Sequence, residues 1–94
     1  MVYVDNFDEV GKKLNRMKMC HMIADSRDEL MAMAEMIGVN KKWIQNSGEQ
    51  KEHFDISRAK KSLAIKNGAT EINMRRLAAM VKTRNLEWYM TPII

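Results

Sequence analysis

Residues 17–38, MKMCHMIADSRDELMAMAEMIG, decide how the rest of the chain is read. From Met17 to Ala24 the stretch is apolar except at Lys18 and His21, and eight such residues suit a β-strand buried beyond Cys20. At Asp25-Ser26 the pattern changes period. Ser26 and Glu29 have the spacing of a capping box, in which each side chain bonds a free backbone N–H of the first helical turn. Leu30, Met33, Ala34 and Ile37 then form one apolar stripe at helical spacing. Gly38 ends it, because glycine takes the left-handed conformation past a helix terminus without steric cost. A strand running straight into a capped helix is the unit from which the fold is read.

Upstream, Met1–Val4 is β-branched and aromatic and runs into Asp5-Asn6, a strand followed by a turn. Residues 6–15, with Gly11, read as a loop. Downstream, Val39–Gln45 reads as a short strand and Asn46–Glu52 as a loop. His53–Ile56 reads as a strand leading into a helix capped by Ser57. Asn67-Gly68 stops that helix near Lys66, and Ala69–Asn73 is one more short strand. A last helix starts near Met74 with Leu77, Ala78, Val81 and Trp88 along one face, and Pro92 cannot continue it. Trp43 and the methionines read as core filling. Strands alternating with helices argue for an α/β (or α+β) domain. The expectation is a small, mostly parallel sheet of three to five short strands with about three helices, joined by right-handed crossovers. Residues 1–94 make a single domain.

The 94 residues are 46% hydrophobic and 30% charged, a globular composition that argues against disorder. Cys20 is the only cysteine, so no internal disulfide can form, and its apolar neighbours suit a buried side chain better than a nucleophile. Asp5, Asp8 and Glu9 interrupt any signal-peptide pattern, and no apolar run reaches the ~20 residues of a membrane span. A cytoplasmic location without a membrane partner is expected. Charge is uneven. Residues 1–47 hold seven basic and seven acidic side chains, residues 48–94 nine and five. The eight basic residues from Arg58 to Arg84 suit a polyanion such as nucleic acid, or a protein partner, and equally suit solvated helix faces.

Parallel strand–helix units would gather their loops at one edge of the sheet, where open α/β folds bind ligands. Asp5, Asp25 and Asp55 fall at strand ends. His21 precedes Asp25 by four residues and His53 precedes Asp55 by two, spacings that set both members of each pair on one strand face. Histidines with carboxylates suit a divalent metal that activates water. The helix starts at Ser26 and Ser57, flanked by Arg27, Arg58 and Lys60, suit a phosphate instead. The same residues have plain structural uses: Asp25 and Asp55 as helix-entry residues, His21 as a hydrogen-bonded core histidine, Asp5-Asn6 as a turn. No G-x-G-x-x-G, Walker loop, paired-cysteine zinc pattern or H-E-x-x-H is present, so no catalytic residue is assigned and no cofactor is named.

Val2-Tyr3-Val4-Asp5-Asn6, Cys20–Ser26, Glu29-Leu30, Ala32–Ala34, Ile37-Gly38, Trp43, Gln45, His53-Phe54-Asp55, Lys60-Lys61, Ala64, Gly68-Ala69 and Glu71-Ile72 together resemble a family of small bacterial and phage domains of unknown function. In that family tyrosine is usual at the position of Phe54 and arginine at that of Lys61. Without a planar guanidinium at Lys61, bidentate anion binding there is weakened. The resemblance implies a fold and a shared polar set, not an activity. Asp5-Asn6 after the first strand is also similar, over those few residues, to the start of PIN-type nucleases, which are longer and use acidic residues on later helices. The function expected first is a small accessory protein binding a nucleotide or other phosphate-bearing ligand. His21, His53 and Lys60 would contact the phosphate, with Asp5 and Asp55 orienting the histidines or the sugar, and Asp25 beside them. The alternatives are a host-protein binder or inhibitor acting through the basic second half, and a metal-dependent phosphodiesterase or nuclease with Asp5, Asp25 and Asp55 as ligands.

Overall fold

The computed structural model describes residues 1–7 and 18–92; most of the expected loop at 6–15, with Gly11, lies outside them. The elements are β1 (Val2–Val4), β2 (Met19–Ala24), α1 (Arg27–Met36), β3 (Phe54–Ser57), α2 (Arg58–Lys66), β4 (Thr70–Glu71), α3 (Met74–Lys82) and α4 (Leu86–Met90). Each helix begins where a small polar side chain can take up a free first-turn N–H. Ser26 accepts from Glu29 N–H, Ser57 from Lys60, Asn73 from Arg76 and Asn85 from Trp88. The capping box at α1 is half made: the Ser26 hydroxyl accepts from Glu29 N–H and donates to Glu29 Oε1 at 2.8 Å, while Glu29 Oε2 pairs with the Met1 amino group. Gly38 has φ +77°, the left-handed conformation expected after the helix.

The four strands lie in the order β3-β2-β1-β4. β1 and β4 are parallel, but β2 runs antiparallel to both β1 and β3, so the sheet is mixed and not mostly parallel. The sequence expectation fails for a geometric reason. A helix that returns directly into the next strand gives a parallel pair. Here α1 carries the chain about 15 Å along the sheet. Residues 37–53 then bring it back, so β3 enters beside the end of β2, with Met22 opposite Phe54 and Met19 opposite Ser57.

Alternation along the strands divides the side chains between two faces. Val2, Val4, Cys20, Met22, Ala24, Phe54 and Ile56 pack with Leu30, Met33 and Ala34 of α1 and Ala64 of α2 in the main core. On the opposite face Ile23 and Tyr3 meet Ile72 and Leu77 under α3 in a smaller cluster. That second layer covers only part of the sheet, and the uncovered part holds the polar residues described below.

Three further expectations are corrected. Val39–Gln45 is not a strand: Lys41–Trp43 form a short 3-10 turn capped by Asn40, and only Gln45 pairs, with His53. Trp43 stands 66% exposed on that turn instead of in the core. The last helix is two helices, because Asn85 starts a new one. This rotates Trp88 off the α3 stripe and leaves it 63% exposed, while Tyr89 turns inward. No helix among the described residues is long and apolar enough to cross a membrane.

Candidate metal centre

His21 and Asp55 sit directly opposite one another on β2 and β3. His53 is two residues before Asp55 and so shares its face of the sheet. Asp5 continues β1 beside His21, its backbone N–H donating to the His21 carbonyl at 3.0 Å. Register therefore brings Asp5, His21, His53 and Asp55 together on the α3 face of the sheet, not at the edge where a parallel sheet would have gathered them.

Asp5 is 1% exposed. One of its oxygens accepts from the backbone N–H groups of His21 (2.9 Å) and Phe7 (3.2 Å), and the other lies 2.6 Å from His21 Nδ1. Burial alone would raise its pKa, but the bonds from His21 and the two amides outweigh it and hold the carboxyl below its ordinary value. An ionised Asp5 fixes the His21 proton on Nδ1. His53 Nδ1 lies 2.6 Å from the Lys51 carbonyl, which can only accept, so its proton is on Nδ1 as well. Both imidazoles then present Nε2, and both Nε2 atoms face one carboxylate oxygen. Asp55 Oδ1 is 3.2 Å from His53 Nε2 and 3.8 Å from His21 Nε2. It is shut off from solvent and accepts no hydrogen bond among the described residues.

The three donor atoms of His21, His53 and Asp55 lie within 4.8 Å of one another. A tetrahedral ion with bonds of ~2.1 Å sets its ligands ~3.4 Å apart, so a small closure of this cluster suffices. Neutral imidazoles would aim two lone pairs at an anionic oxygen, which is unfavourable unless a cation lies between them. A proton is the smallest such cation. Burial pushes the His53 pKa down, but the Asp55 carboxylate and the Lys51 carbonyl outweigh it and hold it above the ordinary imidazole value. The His21 and His53 rings meet edge-to-face at 5.4 Å, and Phe7 closes the other side of His21 at 5.2 Å.

Two of the six residues singled out from sequence lie elsewhere. Asp25 is at the opposite end of β1, exposed, with Tyr3 OH at 3.3 Å and the Met1 amino group at 3.2 Å. The i, i+4 spacing from His21 sets the two on one face, yet roughly 13 Å apart along the strand. Lys60 donates to the Ile37 carbonyl at 2.8 Å and so closes the end of α1. Phe7, the Lys51 carbonyl and the α3 side chains beside the site escaped sequence reading. A backbone acceptor has no residue signature, and the α3 stripe is indistinguishable from core.

No curated protein and no solved structure matches the chain. A family profile described as a protein of unknown function, DUF4031, matches residues 2–84. With nearly all of its length matched, the chain belongs to this family of proteins of unknown function.

Proposed function

We propose that the protein binds a divalent transition-metal ion through His21, His53 and Asp55, and that the coordination positions left open take a phosphate-bearing ligand. One observation carries the reading: two Nε2 lone pairs and a bare carboxylate oxygen converge while both Nδ1 atoms are held by acceptors behind them. Metal-binding histidines are oriented by just such bonds from the second ring nitrogen. Two imidazoles and a carboxylate suit zinc and its neighbours in the first transition series. Three protein ligands leave room for an exogenous one. Lys51 and Lys82 border the groove into which the site opens, and their charge favours an anion there. A second reading, metal-dependent phosphodiester hydrolysis, is favoured by the same three-ligand set, because a metal held by His21, His53 and Asp55 would lower the pKa of a bound water toward neutrality. In that reading Asp5 orients His21 instead of binding the metal, and Asp25 has no part.

Equilibrium dialysis with zinc, and the visible spectrum with cobalt(II), test the site. One ion per chain is expected, with affinity reduced at least ~100-fold in His21→Ala and His53→Ala, since even outer partners of a ligand are worth 10–100-fold. Absence of stoichiometric uptake by protein shown to be folded by circular dichroism overturns the proposal. Turnover of bis(p-nitrophenyl) phosphate by the zinc-loaded protein separates the hydrolytic reading from binding alone.

A further inference from the structure

Beside the metal site a groove of about 700 Å³ runs between the sheet and α3. Its size is that of a small-molecule pocket, far more than a phosphate group needs. Its walls beyond the site are Phe7, Met74, Leu77, Ala78 and Val81, all apolar. Of the polar residues along it, Gln50 is already engaged: its amide donates to the Val81 and Arg84 carbonyls. Asp5 is engaged with His21 and Phe7. Lys51 and Lys82 stand exposed on the groove. Among the described residues, the walls thus offer apolar contact and positive charge, and the N–H donors of the one side-chain amide on them, that of Gln50, are already committed.

We infer that the ligand of this site is an organic phosphate with a hydrocarbon or aryl body, its phosphate at the metal and lysines and its body along α3, and not a nucleotide read by hydrogen bonds. This rests on the metal site proposed above. The apolar body gains by leaving water in proportion to the area buried, so affinity rises with chain length in a homologous series. Adenine laid against the apolar walls of Phe7, Met74, Leu77, Ala78 and Val81 would lose hydrogen bonds to water that those side chains do not replace.

Calorimetric titration of the zinc-loaded protein with methyl phosphate, hexyl phosphate, phenyl phosphate and adenosine monophosphate tests the inference. Hexyl and phenyl phosphate are expected to bind at least ~10-fold tighter than methyl phosphate, as a few buried methylenes provide. Ala78→Trp, which fills the groove from an exposed helix position, should abolish that preference and leave zinc affinity unchanged. Equal binding of methyl and hexyl phosphate, or tighter binding of adenosine monophosphate than of hexyl phosphate, overturns it. Should the protein take up no zinc, the metal reading falls by itself, and the same series is run on metal-free protein. A retained preference for hexyl phosphate then upholds the groove, and its absence ends it.

Discussion

Asp5 and Asp25 look alike in the sequence, each an aspartate at a strand end, yet their surroundings give them opposite expectations. Asp5 is buried, accepts three bonds and orients His21. Asp25 is exposed and, among the described residues, meets Tyr3 and the amino terminus. Asp5→Asn should therefore lower zinc affinity by ~10–100-fold, the usual effect of removing an outer partner of a ligating histidine. Asp25→Asn should leave it unchanged, and dialysis of both variants checks the pair. Their roles were not legible because strand ends were ordered by chain position, while proximity was set by which residue lies across the ladder. His53 and Asp55 were legible as a pair, since a spacing of two on one strand fixes both face and distance.

At the scale of elements, the helices were the most readable part of the chain. Four start at Ser26, Ser57, Asn73 and Asn85, and capping is a local interaction that sequence spacing reports directly. Ser26 is buried, its hydroxyl bonded both to Glu29 N–H and to the Glu29 carboxylate. Ser26→Ala should destabilise the protein by ~1 kcal/mol, measured as a shift in urea midpoint with unchanged slope. The break between α3 and α4 was missed although Asn85 signals it. The stripe of Leu77, Ala78 and Val81 was extended through Asn85 to Trp88, where periodicity outweighed a single capping residue. The short strands were weaker still. β4 is two residues long and exists by pairing with β1, which local composition does not report.

For the whole molecule, a buried polar knot joins the 46–52 segment to the last two helices. Glu52 is 0% exposed and accepts from Tyr89 OH at 2.7 Å and Gly48 N–H at 2.7 Å, with Arg27 at 3.5 Å. Arg84 lies over the Tyr89 ring at 3.9 Å and donates to the Gln50 and Glu52 carbonyls. Tyr89→Phe removes a donor from a buried carboxylate and should destabilise by ~1.5–3 kcal/mol at pH 7, read by urea unfolding. Burial, and then Glu52, raise the Tyr89 pKa far above its ordinary value of 10.0. The folded state thus keeps a proton that the unfolded state releases, so stability is full below about pH 10 and falls as pH rises beyond it. The variant should show a shallower alkaline decline. Among the eight basic residues from Arg58 to Arg84, Lys60 bonds the Ile37 carbonyl, Lys61 pairs with Glu71 and Arg84 lies over Tyr89. Arg75, Arg76 and Lys82 remain exposed on α3. Composition, capping spacing and apolar period determined from the sequence a single globular chain, the starts of its first two helices and most of its core, because each of these is a local property. Strand direction, the register that sets His21 across from Asp55, and the partial cover that leaves a groove beside them depend on how residues 37–53 travel and where α3 lands. Those are contacts between segments far apart in the chain, and only the tertiary structure decided them.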